Sequence, residues 1–156
     1  MPNNIKTLNK ARKKTKNKTK KKKKLPKHYT SKLSKRDTRK QINNIKKSSS
    51  AYKKGIYINR PKLKSYKSKK SSWVSKYEKK YNKGKTYKEI EIATGIPKKA
   101  LMEVVNKGRG AYYSSGSRPN QTAESWGKAR MYSYIMGGPT RKVDKHITKK
   151  YNIQFS

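Results

Sequence analysis

The chain has 156 residues, with 46 Lys or Arg against 7 Asp or Glu, a formal charge of +39 and 29% hydrophobic residues. It has no cysteine, which excludes a disulfide framework, a thiolate nucleophile and any zinc site built on Cys. No apolar run approaches the roughly 20 residues of a membrane span, and no signal-peptide core follows the basic start.

Residues 1–70 carry 28 Lys or Arg and one acid, Asp37, and contain the run Lys20, Lys21, Lys22, Lys23, Lys24. Such a density of like charge resists compaction without a counter-charge, because repulsion grows as the charges close up. Low hydrophobicity with high net charge predicts an extended, disordered arm over 1–70. A transit peptide would favour Arg and an amphipathic face, whereas Lys dominates here. The partner such an arm suits is a polyanion, with nucleic acid the obvious one, since it releases counterions on binding. Within the arm, residues 33–45 form a weak helix candidate, with Ser34, Asp37 and Gln41 at polar positions. Ser48, Ser49 and Ser50 read as a linker. Residues 55–59 alternate β-formers but are too short to stand alone, and Arg60-Pro61 argues against a central strand.

Residues 71–156 mix 18 bases with 6 acids and read as one small all-α domain of about five short helices. Ser71 or Ser72 caps a first helix with Trp73, Val74, Tyr77 and Tyr81 on one face and Gly84 as its end. Thr86 and Glu89 have capping-box spacing, opening a short second helix with Tyr87, Ile90 and Ala93 as its apolar side. Gly95 closes it, and Pro97 suits the first turn of a third, with Ala100, Leu101, Val104 and Val105 buried and Gly108 as its stop. Residues 109–121, rich in turn formers, read as a loop. Thr122 opens a fourth helix with Trp126, Ala129, Ile135 and Met136 as core candidates. Gly137-Gly138-Pro139 breaks it, and a last helix from Thr140 places Val143, Ile147 and Tyr151 on one face.

Three constellations carry chemistry. The hairpin around Gly95 has the outline of a helix-turn-helix, which would present Lys98 and Lys99 near the start of a recognition helix; a plain packing hairpin shows the same pattern. Arg109 and Arg118 bracket Tyr112 and Tyr113, a combination that grips phosphate and stacks on bases, or else forms a structured surface loop. Tyr112, Tyr113 and Arg118 are also the candidates for a protein interface. His146 with Asp144 falls short of the three or four groups a metal site needs, and no carboxylate pair is evident. No catalytic residue, cofactor, metal or small-molecule substrate is implied.

Residues 64–81 (KSYKSKKSSWVSKYEKKY), 94–105 (TGIPKKALMEVV), 108–138 (GRGAYYSSGSRPNQTAESWGKARMYSYIMGG) and 141–147 (RKVDKHI), in that order, resemble an uncharacterised small basic domain family of nucleocytoplasmic large DNA viruses and some tailed phages. The resemblance covers roughly the second half of the chain and assigns no functional residues, because it carries no known activity. It implies a viral source and a particle component. The expectation is a non-enzymatic virion structural protein, a minor capsid or internal core component. It would reside in the virion, and in host cytoplasm or nucleus during assembly. Its arm would bind genomic DNA or acidic capsid surfaces. The alternatives are a DNA-condensing or helix-turn-helix protein and a ribosomal-type RNA binder.

Overall fold

The structure is a computed structural model that describes residues 24–82, 84 and 86–155. A 3-10 turn, Lys27–Tyr29, leads into α1 (Lys35–Tyr52), whose start is set by Ser34. The Ser34 hydroxyl accepts from the Asp37 N–H at 3.2 Å, satisfying one of the first-turn donors. Helices α2 (Ser72–Tyr81), α3 (Tyr87–Thr94), α4 (Lys98–Ser115) and α5 (Ala123–Ile135) follow. Two short helices, α6 (Pro139–Val143) and α7 (Lys145–Lys150), complete an all-α fold.

The expected hairpin forms. Gly95 takes the left-handed conformation (φ 73°) that releases the chain from α3, and α4 begins straight after Pro97. Thr122 caps α5 in a reciprocal box: its hydroxyl accepts from Ser125 N at 3.0 Å, and Ser125 Oγ accepts from Thr122 N at 3.0 Å. The break at residues 137–139 also stands.

Helix α4 is the hub. It packs against α1, α3, α5 and α7, while α5 also meets α2 and α6. Ala100, Leu101, Val104 and Val105 of α4 interleave with Met131, Tyr134 and Ile135 of α5, and Ile147, Ile96 and Ile90 close the ends. The tail returns over this core, with the Arg141 guanidinium 3.5 Å above the Phe155 ring. Asp144, almost wholly buried, receives a two-point ion pair from Arg130 at 2.9 and 2.7 Å.

Several expectations give way. Helix α4 does not stop at Gly108 but runs to Ser115, so residues 109–115 belong to a helix and not to a loop. Gly108 is there for packing: a Cβ on it would lie 2.6 Å from Gly127 Cα, and one on Gly127 would lie 2.7 Å from the Val105 carbonyl oxygen. The two glycines let α4 and α5 cross at backbone contact. Asn82 in the left-handed conformation, and not Gly84, ends α2. The last helix is split at Asp144, which leaves Val143 64% exposed while Ile147 is buried. Trp126 is half-buried outside the main core, edge-on to Tyr29 with centroids 5.9 Å apart.

The largest correction is the boundary drawn at residue 71. Residues 35–70, expected in the arm, are part of the fold. Gln41 Nε2 donates to the Ser117 carbonyl at 3.0 Å, and Ser48 Oγ donates to the Tyr113 carbonyl at 2.7 Å. Ile45 and Leu63 are buried, and Leu63 exchanges hydrogen bonds of 2.7 and 3.0 Å with the Asn120 side chain. The serine triplet is no linker; it lies inside α1. That helix ends at Tyr52, and the left-handed Gly55 (φ 76°) turns the chain away from it, with Ile56 N bonded to Ala51 O and Gly55 N to Tyr52 O, both at 3.0 Å.

Candidate nucleic-acid interface

Helix α1 sorts its side chains by charge. Asp37, Gln41, Ile45 and Ser48 are buried against the fold. Lys35, Arg36, Arg39, Lys40, Lys46 and Lys47 are all exposed. At about 100° per residue these six fall within an arc of about 140°, opposite the buried stripe. Residues 24–70 hold 17 Lys or Arg and one acid, and that acid is turned inward. Ser65 donates to Asp37 through its hydroxyl and, at 3.1 Å, through its backbone N–H. These bonds, the hydroxyl's first, hold the Asp37 carboxyl below the usual carboxylate range. Among the described residues none of these six cations makes an ion pair.

A second basic group lies beside the entry to the fold. Arg118 is exposed on the turn after α4 and makes no ion pair among the described residues. Burial lowers the His28 pKa, and the neighbouring Arg118 charge lowers it further. Burial raises the Tyr29 pKa, while Arg118 and Arg60 pull it the other way. Arg60 is itself buried and has no carboxylate partner among the described residues. Its guanidinium donates to Asn44 Oδ1, the Tyr112 carbonyl and Ser48 Oγ and sits 4.5 Å from the Tyr112 ring centroid. Desolvation lowers its pKa.

The residues picked out in the sequence divide. Lys20, Lys21, Lys22 and Lys23 lie outside the described residues; Lys24 is exposed at their edge. Lys98 and Lys99 are exposed on the first turn of α4, as a recognition helix would have them. They are about 16 Å along the helix from Arg109, so they form no site with it. Glu103 follows one turn on, bonded to Lys150 at 2.5 Å and to Tyr151 at 2.8 Å, which holds its pKa down. Arg109 is paired with Glu124. It shares a shallow cleft of about 380 Å³ with Asn59, Tyr113, Thr122, Ala123 and Glu124. Tyr112 cannot meet a partner: it is 0% exposed, and its hydroxyl accepts from Arg60 N at 2.8 Å and donates to the Gln121 carbonyl at 3.0 Å. Tyr113 remains at the surface.

Taking residues 1–70 as an arm hides the basic face of α1; a helical wheel over residues 35–47 separates its charges from Asp37, Gln41 and Ile45. Among the described residues no group of three or more His, Asp or Glu could hold a metal, and no helix is long and apolar enough to cross a membrane.

Fold and surface define a small all-α protein with a strongly basic outer helix. The chain belongs to a family of unknown function, DUF5824, whose pattern matches residues 26–152. That span takes in α1 and begins where the described fold begins, well before the stretch that carried the resemblance. No curated protein and no solved structure matches the chain.

Proposed function

We propose that this is a non-enzymatic particle protein of a large DNA virus that binds nucleic acid by electrostatics, with the Lys20–Lys24 run and α1 acting on one phosphate backbone. The observation that carries the reading is the sorting of charge on α1, six cations outward and the one acid of the stretch inward. Phosphates reward such a face by releasing condensed counterions, and the reward does not depend on sequence. The viral source and the place in a particle rest on the sequence resemblance alone. Arg118, which makes no ion pair among the described residues, adds to the same field.

The test is a salt titration of the full chain on duplex DNA. If about ten phosphates are engaged, log K should fall against log salt with a slope near −9, with little preference among sequences. A slope shallower than about −3 would remove electrostatic binding as the main activity. In particles emptied of genome, the chain should leave with the DNA. Retention in the shell would mean that the basic face meets acidic capsid protein instead.

A further inference from the structure

Electrostatics leaves an aromatic surface feature unused. Tyr52 at the end of α1, Tyr57 after the turn and Tyr113 on α4 form a cluster, with centroids 5.9 Å apart for Tyr52–Tyr57, 5.0 Å for Tyr57–Tyr113 and 6.3 Å for Tyr52–Tyr113. The Tyr52 and Tyr113 rings are within 12° of parallel. Tyr57 is 64% exposed and Ile56 55%, so neither ring nor aliphatic chain is spent on the core.

The cluster is fixed from below. The left-handed Gly55 turns the chain so that Tyr57 comes back against Tyr52. Ser48 Oγ holds the Tyr113 backbone from α1. The buried Tyr112 supports the Tyr113 ring edge-on, centroids 5.0 Å apart. Gly110 leaves room for the Tyr52 hydroxyl, which a Cβ there would meet at 3.3 Å. Rings held this way lose little freedom when a ligand stacks on them.

The surroundings select the ligand. Lys53 and Lys54 fill the turn between Tyr52 and Tyr57, and both are exposed. Lys46 and Lys47 lie one to two turns back on the outward face of α1. Arg109 is one helical turn before Tyr113 and lines the same cleft. The acid of that cleft, Glu124, is already paired with Arg109 and Lys128. An exposed Tyr57 ring backed by the half-buried Tyr52 and Tyr113 rings, among cations, suits a strand that alternates flat apolar rings with phosphates. A duplex offers only base edges, whereas an unpaired base offers its face.

We propose that Tyr52, Tyr57 and Tyr113 form a stacking platform for unpaired bases of a single-stranded nucleic acid, whose backbone continues over Lys53 and Lys54 onto α1. The proposal rests on the nucleic-acid reading above and deepens it from phosphate binding to strand type.

The experiment measures anisotropy of three labelled probes with the full chain: an oligothymidylate, an abasic oligomer of equal length and charge, and a duplex. Salt is set high enough to suppress most of the purely electrostatic term. The wild-type chain should prefer thymidylate over the abasic strand by about tenfold, the scale of one stacked base. Tyr57→Ala should abolish most of that preference with abasic and duplex affinities unchanged, and Tyr57→Trp should keep it. Equal wild-type affinity for the two single strands, or a preference that survives Tyr57→Ala, overturns the platform and leaves electrostatic binding standing. Equal losses on all three probes overturn it too, because Tyr57 would then act through the fold. Failure to bind any probe at low salt as well sinks the platform and the nucleic-acid reading together.

Discussion

Replacing Lys35, Arg36, Arg39, Lys40, Lys46 and Lys47 together by Gln tests whether α1 is an interface or merely a charged surface. All six are exposed, so no packing is lost. Gln matches Lys and Arg in helix propensity, so α1 keeps its backbone preference. Like-charge pairs at residues 35/39 and 36/40 disappear, which relieves a few tenths of a kcal/mol each. The variant should therefore be as stable as the parent, or slightly more so. Twelve residue steps separate Lys35 from Lys47, about 18 Å of helix. A duplex presents about ten phosphate charges over that length, roughly half of them facing one side. Between three and six of the six cations can then meet phosphate, and the slope of log K against log salt should become shallower by about 3 to 5. Removing residues 1–23, which carry 11 Lys or Arg, should shallow it independently. That cut falls before the first described residue and leaves α1 intact in the sequence. Titrations on duplex DNA at four or five salt concentrations, with circular dichroism as the folding control, measure both effects. An unchanged slope in the six-Gln protein, with binding abolished by the N-terminal cut, would refute the role given to α1.

Two further outcomes follow from packing. Gly108→Ala gains about 1 kcal/mol of helix propensity but drives a methyl into backbone across the α4–α5 crossing, and overpacking of about 1–3 kcal/mol should win. Gly110→Ala on the same helix meets only the tip of the Tyr52 side chain and should be neutral or stabilising; equal urea midpoints for the two variants would mean the helices do not cross so closely. Burial raises the hydroxyl pKa values of Tyr77, Tyr112, Tyr132 and Tyr134. A raised folded value means their contribution is full below about pH 10 and is lost as pH climbs through the folded value. Tyrosinate absorbance should then show a late step that coincides with loss of helical dichroism, and completion of that absorbance before the helix melts would contradict it.

Signals that act within a few residues were legible in the sequence. Gly95, Pro97, Thr122 and the 137–139 break each set a local backbone state, and each lies where its chemistry puts it. Gly108 misleads because its reason is 19 residues away: a glycine that reads as a stop is a contact point for Gly127. Val143 misleads because the break at Asp144 shifts the helical phase, and Asp144 is held by Arg130 from another helix. Tyr112 and Tyr113 are adjacent and alike in composition, yet one carries the hydrogen bonds of a buried network and the other faces out. Only the helical phase of α4, hidden by Gly108 and Gly110, tells them apart.

The docking of α1 was illegible for a deeper reason, which also bears on function. Its buried stripe is Asp37, Gln41, Ile45 and Ser48, so hydrophobic periodicity cannot announce it. The helix is held mainly by polar bonds, and among the described residues Gln41 Oε1 and Arg60 Nε are buried without a protein hydrogen-bond partner. Such groups cost about 1–3 kcal/mol each. Six outward cations add mutual repulsion. The α1 layer therefore combines sparse apolar burial, Ile45 and Leu63, with an outward row of like charges. A polyanion on the outward face removes the repulsion without touching the inner bonds, and by linkage it stabilises whichever state presents that face. The physics that makes α1 a marginal structural element thus ties its order to the polyanion it is proposed to bind.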